Sequence, residues 1–192
     1  MCVNIMLICA EEMKKTMKEI HERLDKVSPV DFDCGTLCGE VCCVYDKEHS
    51  DEELMLYLMP GEELLYEDNE YFELYTIASN APDYPDDWED NIFVVKCTSP
   101  PECDRRLRPI QCKTFPLIPH ISIEGEFHLV FDESEYPYVC PLVNENRKLE
   151  DDFINETYSV WKMLINNPVV YDLVKIDSRR RNEKKVEYRI VK

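Results

Sequence analysis

Cys34-Gly-Thr-Leu-Cys38-Gly-Glu-Val-Cys42-Cys43 places four cysteines within ten residues and repeats Cys-Gly before closing on a vicinal pair. The chain has only four glycines, and two of them, Gly35 and Gly39, stand directly behind cysteines. Several sulfurs can aim at one point only if the backbone folds tightly beneath them. Glycine accepts the positive φ that such folding needs. Gly35 and Gly39 are therefore expected to act as knuckles that let successive sulfurs converge. Thiolates gathered in this way bind zinc tetrahedrally and also hold iron or iron–sulfur clusters. The fold expected is a small α+β one, a metal-centred, cysteine-rich core of short strands and loops with helices at both ends.

A second set of cysteines lies further along, at Cys97, Cys103, Cys112 and Cys140. From Lys96 to Lys113 there are five bases (Lys96, Arg105, Arg106, Arg108, Lys113) against two acids (Glu102, Asp104), in a chain whose net charge is −18. Guanidinium groups near thiols favour the ionised sulfur, so these bases are expected to stabilise metal-bound thiolates. The plain alternative is a loop whose arginines pair with surface acids. The spacing Cys34-x3-Cys38-x3-Cys42-Cys43 has neither the C-x2-C pairs of zinc ribbons nor the ferredoxin run. Eight cysteines allow two four-sulfur sites, or one cluster with spare thiols. Adjacent Cys42 and Cys43 point in different directions in most backbone conformations, so one can ligate while the other packs.

The 40 acids against 22 bases work against nucleic-acid phosphates and anionic membranes as partners. A basic protein or peptide is the favoured partner, and solubility the bland reading of the same charge. The start "MCVNIMLICAEEMKK" has an apolar run without a basic residue before it and without a small-x-small cleavage site. No stretch approaches the roughly 20 apolar residues of a membrane span. The expected compartment is the cytoplasm, where clustered thiols stay reduced and more often mean metal.

At 192 residues the chain suits a single domain. Met13, Met17, Ile20, Leu24 and Val27 recur at helical spacing and predict a helix over 9–28, with His21 partly exposed beside the apolar stripe. The cysteine-cluster region spans 31–142. Leu54, Leu56 and Leu58 alternate as in a strand, Pro60-Gly61 turns, and 62–78 fits either helix or strand. Residues 80–91 read as an acidic loop, 92–97 as a buried strand ending on Cys97, and 98–120 as loop. A hairpin turning at Glu124-Gly125 would put Phe127, Leu129 and Phe131 on one face and His128 on the other. Helical spacing over 149–181 is interrupted at Asn167-Pro168, which predicts two helices, and the basic tail offers an edge strand.

The combination "CGTLCGEVCC", "YLMPGEE" and "KC…C…RPIQCKTFPLIPH…YVCPL" resembles the YkgJ-type cysteine-cluster proteins, over about Asp31 to Leu142. The element from Arg108 to Pro116 is the most specific part of the likeness. Proteins of that type carry what is described as a zinc- or iron-chelating domain with a CxxCxxCC signature. The resemblance implies that Cys34, Cys38, Cys42, Cys43 and Cys112 chelate, joined by Cys97, Cys103 and Cys140 of the close subgroup. Zinc is the first choice, and iron or an iron–sulfur cluster the second. The same domain is similar to part of flagellin lysine N-methylases, which implies an enzyme modifying a protein side chain as one alternative. A redox or metal sensor built on Cys42 and Cys43 is another. The four glycines form no loop for S-adenosylmethionine, and no Ser–His–Asp, P-loop or HExxH pattern is present. His49 and His120 lie near cysteine segments and could replace a sulfur. Glu62 and Glu63 follow the Pro-Gly turn, where acids suit a helix start.

Overall fold

The computed structural model describes residues 2–39, 55–67, 69–78, 91–98, 104–132 and 138–192. Cys42, Cys43, Cys103, His49 and the acidic loop up to residue 90 lie outside the described residues. The fold is α+β, helices packed with antiparallel sheets.

Helix α1, Cys2–Leu24, starts well before the predicted residue 9, since no proline or glycine precedes Pro29 to stop it. Its buried stripe is Met17, Ile20, His21 and Leu24, an i, i+3, i+4, i+7 pattern. A short helix α2, Gly35–Cys38, follows. Strand β1, Met55–Tyr57, leads through Pro60-Gly61, with Gly61 at φ 91°, into a 3-10 turn at Glu62–Leu65. The ambiguous stretch then becomes strand β2, Phe72–Ala78. Strand β3, Asn91–Cys97, completes an antiparallel sheet ordered β1-β3-β2, with Phe72 opposite Cys97 and Tyr75 opposite Val94.

Residues 104–121 correct the loop expectation. A 3-10 turn at Arg105–Leu107 precedes helix α3, Ile110–Thr114, and strand β4, Leu117–Ile121. Pro119 is tolerated inside β4 because that strand lies at the edge of its sheet, where a missing N–H breaks no ladder on the outer side. Strand β5, Phe127–Asp132, pairs with β4 across a turn at Gly125, whose φ of 86° suits glycine. Helix α4, Pro141–Asn144, is short. Helices α5, Asp151–Leu164, and α6, Pro168–Glu183, divide where predicted, and the Asn167 side chain caps α6 by accepting from the Val169 N–H at 2.9 Å. Strand β6, Tyr188–Ile190, adds to β5 and gives the order β4-β5-β6.

The main core joins α1, α5 and α6 to the second sheet through Ile20, Leu24, Leu117, Leu129, Phe153 and Leu173. A smaller cluster of Leu58, Tyr66, Phe72 and Val95 lies on the first sheet. Among the described residues, no helix is long and apolar enough to cross a membrane.

Candidate functional site

Cys34 stands at the N-cap position of α2, and its carbonyl accepts from the Leu37 N–H at 3.0 Å. The Asp33 carboxylate accepts from the Gly35 N–H at 3.1 Å, which starts the short helix. The knuckle expectation applies to one glycine only. Gly39 closes α2 at φ 63°, whereas Gly35 is the first residue of the helix and has no positive φ, because right-handed helical backbone takes a negative one.

Cys34, Cys97, Cys112 and Cys140 are thiols. Cys34 packs on the main core, of which buried Cys140 is a member. Burial pushes the Cys34 thiol up, Asp33 and an ionised Cys140 add to that, and Arg105 and Arg108 oppose it. These two sulfurs, far apart in sequence, thus stand within electrostatic reach of each other. Cys97 packs instead against the smaller cluster, and half-buried Cys112 lies on α3. Among the described residues, no three side chains of the His, Cys, Asp and Glu types converge as a metal site would need. Cys38 ends α2, one helical turn after Cys34 in the backbone.

The three arginines have separate fates. Arg105 Nη2 donates to the Val27 carbonyl at 3.0 Å, which fixes its guanidinium beside the end of α1. Arg108 is buried, with Nη1 3.8 Å from Asp33 Oδ1. Exposed Arg106 instead grips Asp104, whose carboxyl its hydrogen bonds hold down at about 2. Only Arg105 and Arg108 act on Cys34.

Sequence reasoning missed the most deeply buried charges. Glu62 is fully buried: Oε1 accepts from the Ile110 N–H at 2.8 Å and lies 3.1 Å from His21 Nε2, and Oε2 accepts from the Met59 N–H at 2.9 Å. Lys113, also fully buried, has its Nζ 3.0 Å from His21 Nδ1, donates to the Arg106 carbonyl at 2.9 Å and lies 2.7 Å from Asp25 Oδ1. With the Lys113 ammonium donating to Nδ1, the His21 ring is the tautomer that donates from Nε2 to Glu62. Burial lowers the Lys113 pKa, against the pull of Asp25. His21 is thus a core residue and not a partly exposed one. The signal was present in the sequence, since position 21 completes the i, i+3, i+4, i+7 stripe begun at Met17. Nothing local marks Glu62 over Glu63, or Lys113 over its neighbours.

This buried chain also explains why "YLMPGEE" and "RPIQCKTFP" belong together. Glu62 holds the first turn of α3, the Gln111 side chain donates to the Tyr57 carbonyl at 2.6 Å, and the Tyr66 hydroxyl donates to the Leu107 carbonyl at 2.9 Å. The two segments interlock and so place Arg105, Arg108 and Cys112.

The sulfur-replacing role foreseen for His120 does not suit its surroundings. The ring is buried, 4.6 Å from the Tyr188 ring, and its Nδ1 accepts from Arg181 at 2.9 Å. Burial, with Arg181 and His128 nearby, lowers its pKa to about 4. Beside Cys34 a groove of about 320 Å³ opens between the end of α1 and the start of α5, lined by Asp25, Asp33, Arg105, Glu150, Asp152 and Phe153 among others.

No family model, curated protein or solved structure matches the chain.

Proposed function

We propose that this is a cytoplasmic thiolate metal-binding protein of the YkgJ type, holding zinc, with iron or an iron–sulfur cluster as the second choice. The observation that carries the reading is that Cys34 packs on the main core to which Cys140 belongs, within electrostatic reach of it, with the guanidinium groups of Arg105 and Arg108 also acting on Cys34. This donor chemistry fits a soft divalent ion: thiols are the ligands such an ion prefers, and cationic neighbours of Cys34 would offset the charge of its thiolate. Cys38, one turn along from Cys34, and Cys42, Cys43 and Cys103, on the adjoining segments, would supply the remaining ligands. Cys97 and Cys112 would belong to a second site or serve packing. Metal bound here would fasten the α2 segment to the start of α4, so its binding free energy would be folding free energy.

The test is elemental analysis of protein purified anaerobically without chelator. The expected result is one or two equivalents of zinc or iron, with absorbance above 400 nm only if an iron–sulfur cluster is held. Cys34→Ser and Cys140→Ser should each remove the same equivalent, and the double variant should remove no more than either. Folded, fully reduced protein without metal would overturn the reading.

The groove favours a second reading, in which a basic side chain of a partner protein lies beside Cys34. Carboxylates outnumber bases along its walls, and Phe153 supplies apolar surface. Calorimetry with a lysine-rich peptide tests it, and absence of saturable heat at low salt removes it.

A further inference from the structure

Of the chain's 22 bases and 40 acids, 8 bases and 3 acids fall in residues 175–192, which form the end of α6 and all of β6. The cationic end is therefore carried on a body that is strongly acidic in total, with 14 bases against 37 acids in residues 1–174. We propose that this reversal from α6 into β6 is a docking surface for a short acidic segment of a partner protein. The inference does not depend on the thiol site.

Three observations bear on this segment. The chain turns back tightly: the Lys184 N–H donates to the Arg180 carbonyl at 2.9 Å, Lys185 to Asn182 at 3.1 Å and Val186 to Arg181 at 3.0 Å. Lys185 makes that turn at φ 53°, in the left-handed region that disfavours ordinary side chains and that glycine or asparagine takes at helix ends. A lysine stands where backbone chemistry asks for glycine, and it is exposed together with Lys184 and with Arg179, whose Nε lies 3.8 Å from Glu183 Oε1. Past the turn, Arg189 lies over the Phe131 ring at 5.0 Å, and Ile190 is 57% exposed. The segment thus exposes several cations at the reversal and, further along β6 on the face opposite Arg189, one uncovered apolar side chain.

That pattern fits an acidic segment carrying an apolar residue. A long polyanion fits poorly, because nucleic acid or a lipid surface extending past the patch would meet the acidic remainder of the chain. The bland role of bases at a helix C-terminus, complementing the helix dipole, accounts for Arg180 and Arg181 but not for a lysine in the left-handed position.

The test uses the full chain and a fluorescein-labelled 12-residue peptide of alternating Glu, Asp and Leu, read by anisotropy at 50 and 300 mM salt. Saturable binding that weakens at the higher salt is expected. Lys185→Gly should weaken binding roughly two- to fivefold while its melting temperature stays equal or rises. A triple variant, Arg179→Ser with Lys184→Ser and Lys185→Gly, should weaken it by more than about tenfold. Absence of binding at 50 mM salt, or wild-type affinity in both variants, would overturn the proposal. Tighter binding of a 12-nucleotide single strand, or of phosphatidylcholine vesicles with one-quarter phosphatidylserine, would overturn the choice of partner.

Discussion

Glu62→Gln is the sharpest perturbation of this fold, because it keeps the side chain's size and changes only charge and hydrogen-bond polarity. The native carboxylate takes three donors in a fully buried place: the His21 ring and the Ile110 N–H on Oε1, and the Met59 N–H on Oε2. A glutamine with its oxygen at the Oε1 position keeps two of these and turns its amide NH2 toward the Met59 N–H. Turned the other way, it keeps Met59 and confronts His21 and Ile110. Either orientation leaves a buried N–H orphaned and removes the charge that strengthens the remaining bonds. A lost hydrogen bond to a charged group and an unmatched buried donor together come to about 3 kcal/mol. At this chain length that lowers the melting temperature by roughly 6–12 °C. Glu63→Gln is the internal control. Its Oε2 accepts from the Gly61 N–H at 2.8 Å, a bond a glutamine oxygen can keep, and burial already pushes the Glu63 carboxyl up, so little charge stabilisation is lost. Its cost should stay under about 1 kcal/mol. Urea unfolding followed by fluorescence of the buried Trp161 measures both. Equal losses at the two positions, or a loss below 1 kcal/mol at Glu62, would refute the reasoning.

His120 makes stability depend on pH. Its folded pKa of about 4 lies below the ordinary 6.5, so the unfolded chain takes the proton first. The stabilisation is complete above pH 6.5 and is lost as pH falls toward 4, by about 3 kcal/mol in all. The difference in unfolding free energy between wild type and His120→Gln, measured at pH 7 and pH 4, should shrink by that amount, and a constant difference would count against it. Arg106 and Arg108 should also separate. Arg108→Ala removes a buried stem beside Asp33 and should cost about 2 kcal/mol, whereas Arg106→Ala, at an exposed pair, should leave thermal melting unchanged. Similar melting curves for both would contradict the placement of Arg108 in the core.

Local chemistry was enough for the elements whose boundaries are local events. The sequence alone determined the strand 92–97, the hairpin at Gly125, the break at Asn167-Pro168 and the edge strand in the basic tail. Each rests on a period, a positive-φ position or a missing N–H that neighbouring residues announce. Strand β4 escaped because two prolines and the lack of alternation disguise it, and only its edge position in the sheet makes Pro119 acceptable.

The site divides in the same way. Eight cysteines and the arginine-rich segment could be singled out from residue types and spacing, but their partners could not. That Cys34 and Cys140, each at the start of a short helix, go with the main core while Cys97, at the end of β3, packs on the smaller cluster is settled by packing between segments far apart in sequence. Which acid of the Glu62-Glu63 pair turns inward, and why Lys113 can be wholly buried, depends on His21 and Asp25 of a distant helix. A polar side chain goes inside only where other parts of the chain satisfy its donors and acceptors, and those parts meet only in the folded molecule.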